Sequence, residues 1–183
     1  NVDLAIVGLV PFAWKRLYSS ARAAEHTPLG RGGWTHSYHQ WVDIDGDAAT
    51  LHEEDGSIVL FPSTSVGEPA FHRGKRLELT RDARGGATVF SLDTRLRRRY
   101  QSFQGGRAWL REIAEVSGQA ITLEYDGERL ARILDTAKRT IALTHDRNGH
   151  ITRLDVFPPG PPGRAPLLSI AYVYGPDGEL SRA

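Results

Sequence analysis

Ile121-Thr-Leu-Glu-Tyr-Asp-Gly-Glu-Arg-Leu-Ala-Arg-Ile133 recurs twenty positions on as Ile141-Ala-Leu-Thr-His-Asp-Arg-Asn-Gly-His-Ile-Thr-Arg-Leu154, with one extra residue in its turn. A third copy runs from Ser169 to Arg182, and Arg99 to Ile113 reads as a degenerate earlier one. Each unit is an alternating strand, a tight turn and a second strand. Tyr125, His145 and Tyr174 hold equivalent places before the turns Asp126-Gly127, Asp146 with Gly149, and Asp177-Gly178, where Asp and Gly are expected to supply the positive φ angles. Leu130 with Ile133, and Ile151 with Leu154, are expected to face the same side as the apolar residues of the preceding strand. A lone hairpin cannot bury its faces, so such units are laid side by side until their apolar faces form one surface.

Outward from the repeats the same grammar holds. Alternation marks strands at Leu51 to Glu54, Ser57 to Phe61, Arg76 to Thr80, Ala87 to Leu92, Ala120 to Tyr125 and Thr140 to His145. Turn signals separate them at Asp45-Gly46, Asp55-Gly56, Gly85-Gly86, Gly105-Gly106 and Asn148-Gly149. The one stretch with helical character is Ser19 to His26, stopped by Thr27-Pro28 and Gly30. The fold class is therefore all-β, a meander of antiparallel hairpins. Residues 1–98 form an opening β-rich region. Residues 99–183 carry the repeats, at about 99–118, 119–137, 138–157 and 168–183, with a proline loop at 157–166.

Composition narrows function. The 183 residues carry Lys+Arg 23 against Asp+Glu 22, a net charge of +1 that argues against a nucleic-acid partner. Zero cysteines exclude disulfides and thiol nucleophiles. The apolar run Leu4 to Val10 is about half the length of a bilayer crossing, so no membrane span is expected. A chain that begins at Asn1 and holds no Met reads as a fragment.

These residues resemble the YD-repeat proteins and, within them, the Rhs polymorphic toxins. Leu123 to Ile133 and Leu143 to Leu154 look like successive YD units. Pro11-Phe-Ala-Trp-Lys-Arg-Leu-Tyr-Ser-Ser20 followed by Pro28-Leu-Gly-Arg-Gly-Gly-Trp-Thr-His-Ser-Tyr38 is similar to the opening of an Rhs core, on Trp14, Arg16, Tyr18, Gly30, Gly32 and Trp34. Asp55 to Pro62 also fits that opening, so the resemblance covers the chain from about Pro11 to its end. It implies part of a large curved sheet or cocoon shell that encloses a C-terminal toxin for interbacterial competition. The implied partners are the rest of the shell, the toxin domain and components of a secretion apparatus. The implied location is the bacterial cytoplasm before export through a type VI system. The family's self-cleaving Asp-Pro-x-Gly-type motif has no counterpart, since Pro176 precedes Asp177. His145 in place of Tyr, the short Asp126-Gly127 turn and the inserted prolines are the departures.

Sharper chemical readings each meet a plainer one. His36, His39 and His52 invite a metal, but residues three apart on a strand point to opposite faces, so the aromatic strand with hydrogen-bonding histidines is preferred and no metal or cofactor is expected. Asp43-Ile-Asp-Gly-Asp47 fits a hairpin turn better than a calcium loop. Arg97-Arg-Arg99 should alternate, with Arg98 facing away from its neighbours, and arginine supplies twenty of the 23 basic residues, as a biased genome would. Glu53, Glu54 and Asp55 diverge too much for acid–base work, and Ser19-Ser20 lacks a nucleophile elbow, so no enzyme is expected. The alternative function is a free-standing β-rich carbohydrate- or protein-binding module using Trp14, Trp34, Trp41 and Trp109 as a platform, which requires those rings to be exposed.

Overall fold

The computed structural model describes residues 1–102, 106–161 and 163–183, with Ala21 described in its backbone only. The turn expected at Gly105-Gly106 and Pro162 of the proline loop therefore fall partly or wholly outside the described residues. The chain is all-β and antiparallel, as the sequence implies. An opening sheet holds β1 (Val2–Ile6), β2 (Phe12–Tyr18) and β3 (Trp34–His36). A second sheet of 13 strands runs as a meander through β7 (Pro69–His72), β8 (Leu77–Arg81), β9 (Ala87–Ser91), β10 (Leu96–Ser102), β11 (Arg107–Glu115), β12 (Ala120–Asp126), β13 (Arg129–Leu134), β14 (Thr140–His145), β15 (Ile151–Phe157) and β16 (Leu168–Ala171). β4 (Trp41–Asp45), β5 (Ala48–His52) and β6 (Ile58–Phe61) branch from it, and β17 (Val173–Tyr174) with β18 (Leu180–Arg182) forms a terminal hairpin. The large sheet does not close: β7 and β16 end its path, and β6 ends its branch, among the described residues.

Turn chemistry sets the register. In six connections, 53–57, 82–86, 115–119, 135–139, 146–150 and 175–179, the first residue's N–H bonds the fifth residue's carbonyl and the fourth residue's N–H bonds the first's. This is the three-residue hairpin loop whose last residue is left-handed. That place is taken by Gly56, Gly85, Gly118, Gly149 and Gly178, and by Lys138 at φ 62°. The aspartates do not supply positive φ. They cap instead: Asp146 Oδ1 accepts the N–H groups of Asn148 and His150, and Asp135 Oδ1 those of Ala137 and Arg139. The Asp126-Gly127 turn is a two-residue loop, Gly127-Glu128, with Gly127 at φ 60°.

Each repeat carries a bulge at the same place. Tyr125 faces Leu130 but Glu124 faces Arg132, so Ala131 is the extra residue on β13. Thr152 is skipped between His145↔Ile151 and Thr144↔Arg153, Arg111 between Tyr100↔Leu110 and Arg99↔Glu112, and Ser181 between Tyr174↔Leu180 and Val173↔Arg182. One extra residue changes the side-chain phase, which is why residues three apart share a face. Leu130, Ile133, Ile151 and Leu154 are accordingly all buried with Ile121, Leu123, Ile141 and Leu143 in one core. The opposite face is polar, and Arg99–Glu112 and Glu124–Arg132 sit directly across from each other.

Three expectations need correction. The helical stretch shrinks to a single 3-10 turn, Ser20–Arg22, because Ser19 pairs with Gly33 and turns the chain back at once. The strand at Leu51 ends at His52, and Glu53 and Glu54 enter the turn fixed by Gly56. The first strand of the last copy is broken at Tyr172, whose buried side chain leaves the sheet.

Candidate functional site

The place where sequence-distant residues converge is the seam between the opening sheet and the hairpin tips. β11 is the fork: beyond β10 on one edge, its other edge pairs with β4 at Arg107–Trp109 and with β12 at Glu112–Ala114, on either side of the bulged Arg111. Each hairpin tip thus splays from the hairpin before it. The wedge this opens is bridged by the repeat aromatic. Tyr125 donates its hydroxyl to Leu110 O at 2.8 Å, and Tyr174 donates to Ile151 O at 2.6 Å, in each case the bulge-facing residue of the preceding hairpin. The corresponding acceptor for His145 is Leu130 O, which the shorter imidazole does not bond among the described residues. The burial that accompanies these bonds pushes the Tyr125 and Tyr174 hydroxyls well above the usual range.

The segment from His26 to Gln40 threads over these tips. Pro28 O accepts from Ile151 N–H (2.8 Å), Gln40 O from Leu110 N–H (3.2 Å), and Gly178 O from Arg31 N–H (2.9 Å). Gly30 has φ 88°, and a Cβ there would lie 2.3 Å from Gly178 O, so only glycine lets the opening segment reach the repeat turn. Gly32, at φ 84°, sits beside Glu179. Gln40 is a buried hub, since its Oε1 accepts from the hydroxyl of Tyr100 and from Arg98, both at 3.1 Å. Burial pushes Tyr100 up to about 12.

The opening motif lies against the last repeat. Trp14 donates its indole N–H to Tyr172 Oη (2.9 Å), which donates to Asp3 Oδ2 (2.7 Å), and Arg16 pairs with the same Asp3 oxygen (2.7 Å). Burial and then the Asp3 hydrogen bond push Tyr172 far up. The Arg16 guanidinium also lies over Trp34, while the exposed Tyr18 leans on that same ring. Trp14 is fully buried, Trp41 and Trp109 are each 8% exposed and Trp34 is half-buried, so the four rings do not form an open stacking surface.

Imidazoles fill the middle of the seam. His36 stacks on Trp14 at 4.4 Å, His39 on Trp109 at 5.8 Å and His52 on Trp41 at 4.5 Å. His36 and His39 do not diverge, because the chain turns after β3: the His39 N–H returns to His36 O. Both rings, with His145, Trp109, Tyr125 and Leu130, line a cavity of about 60 Å³. His36 Nδ1 accepts from the Tyr38 N–H, which places the ring hydrogen on Nε2, and that nitrogen and Trp109 Nε1 are buried without a hydrogen-bond partner among the described residues. Burial, then His39 and His145, hold His36 well below the usual histidine value. Burial, then Arg22 and Arg107, push His39 down to about 3. Burial lowers His145 and His52 as well. No three His, Asp or Glu side chains converge as a metal-binding group among the described residues.

The remaining candidates separate. Asp43 pairs with Arg107 and His52 while Asp45 and Asp47 flank the Gly46 turn. Arg98 turns inward to Glu53 and Gln40, and Arg97 and Arg99 face solvent. Glu53 bonds Lys75 and Ser57, burial raises Glu54, and Asp55 caps Ser57. The residues that sequence reasoning missed are Pro28, Gln40, Tyr172 and the pair His26–His150, joined Nε2 to Nε2 at 3.1 Å.

A family model described as a domain of unknown function (DUF6531) matches residues 1–61. The chain is similar to that family over the opening sheet and the β4–β6 branch, one third of its length. No curated protein matches the chain.

Proposed function

We propose that the chain is a wall segment of an Rhs-type shell that encapsulates a C-terminal toxin for delivery in interbacterial competition. The observation that carries this reading is the repeated hairpin tie. Each unit has the same bulge, and at Tyr125 and Tyr174 the aromatic hydroxyl is anchored on the preceding hairpin. A sheet built by such a rule extends by adding units, and the ends at β6, β7 and β16 offer backbone groups that further strands would pair. The contribution of the chain is mechanical: sheet continuity, a packed face and a polar face. The Rhs resemblance from Pro11 onward supports the same reading, which carries with it synthesis in the bacterial cytoplasm and export by a type VI apparatus. The partners are then the rest of the shell, the toxin and that apparatus.

Denaturing intact mass with peptide mapping of the native gene product tests it. Peptides that continue past Ala183 into many more YD units and an unrelated C-terminal domain are the expected result. A native product of about the 20.2 kDa of this chain would overturn it, because so few hairpins cannot close a shell.

A further inference from the structure

Six of the seven histidines, His26, His36, His39, His52, His145 and His150, lie along the seam, and His72 alone is elsewhere. We propose that this seam is an acid-operated joint: protonation of His36, His39 and His145 around their shared cavity releases the opening segment from the hairpin tips while the hairpins themselves stay folded.

A charge on His36 has nowhere to go. His36 is 1% exposed, is pressed on Trp14, and has His39 and His145 as its titratable neighbours. The cations Arg22 and Arg107 face His39, and Arg129 faces His145. The carboxylates nearby are Asp146 beside His145, Glu128, which lines the cavity from an exposed position, and Glu25, which lines the neighbouring cleft with His39 and is paired with Arg22. Asp43, the acid that holds His52, is already bonded to Arg107. The cavity has volume for about two waters, enough to take the donors of His36 Nε2 and Trp109 Nε1 but too little to solvate an imidazolium at the buried His36, whereas His39 also borders the larger neighbouring cleft. The His26–His150 pair also crosses the seam: His150 Nδ1 donates to Asp146 Oδ2, so its Nε2 accepts from His26 Nε2 at 3.1 Å.

The sign follows from linkage. A histidine kept neutral in the closed state binds fewer protons than in the open one, so closure is fully favoured above the free value near 6.5 and weakens as pH falls below it. His36 alone lowers the closed-to-open ratio about 30-fold between pH 7.5 and pH 5. The joint stands on the histidine geometry and holds whether or not the chain walls a shell.

Native-state hydrogen exchange on the 183-residue chain, read at the seam amides of Ile151, Leu110 and Arg31 against amides inside the β14–β15 hairpin, tests it. Seam opening is expected to rise at least 30-fold from pH 7.5 to pH 5 with the hairpin amides held. His36→Phe should reduce that rise by up to the 30-fold that His36 contributes, leaving the share of His39 and His145. His145→Tyr, which fills the cavity and restores the bond to Leu130 O, should reduce it, and His72→Gln should leave it unchanged. Should His36→Phe fail to fold, ring carbon shifts of wild-type His36 decide: it should stay neutral until the seam opens. A closed seam in which His36 titrates near 6.5, an opening that does not respond to pH, or equal opening of hairpin and seam amides would each overturn the proposal.

Discussion

The β14–β15 hairpin is held by residues that are near neighbours in sequence: its strands pair from Thr140 with Phe157 down to His145 with Ile151, and Asp146 caps the loop between them. The opening sheet depends on residues at the far end of the chain. Trp14 and Asp3 meet Tyr172 across 158 and 169 positions, and Val7 accepts from Arg139 across 132. Local closure costs little chain entropy and long closure costs more, so the hairpins can form first and present the surface on which the opening segment docks. The two regions therefore fail differently: damage to a hairpin weakens one joint, and damage to the opening motif undocks a sheet.

The largest break comes from Trp14→Ala. It removes a fully buried indole and the hydrogen bond that Tyr172 Oη accepts, leaving Tyr172 only its bond to Asp3, and a loss of about 3–5 kcal/mol is expected in urea denaturation. Tyr125→Phe keeps the ring and loses the tie to Leu110 O. That should cost about 1 kcal/mol by the same measurement, with faster exchange at the β12–β13 tip. Lys138 holds the left-handed place that glycine takes in the five sister loops, so Lys138→Gly should stabilise by about 0.5–1 kcal/mol, seen as a higher urea midpoint. Arg132→Ala breaks an exposed cross-strand pair with Glu124 and should change stability by less than about 0.5 kcal/mol. If Tyr125→Phe proved as damaging as Trp14→Ala, the contrast between local and long-range support would collapse.

The strands, the turns and the repeat were legible because their signals are local. Gly149 and Gly178 mark loops by backbone preference alone, and the Leu-x-x-Ile spacing of Leu130 and Ile133 already carried the bulge, which needs one extra residue to bring both inside. The aspartates misled because capping and positive φ favour the same short polar residues at neighbouring loop positions. The seam was not legible. Nothing near Gln40 in sequence announces that it will meet Tyr100 and Arg98, and His36 and His39 come together only through a turn that strand alternation does not anticipate. Tyr172 reads as one more strand residue until Trp14 and Asp3 are placed beside it.

Electron microscopy of the native gene product tests the wall reading most directly. The expected image is a closed, hollow particle with these hairpins running in its wall and density for a separate domain inside. A solid particle with no enclosed volume, in which the strands at β7 and β16 remain unpaired at the surface, would contradict it.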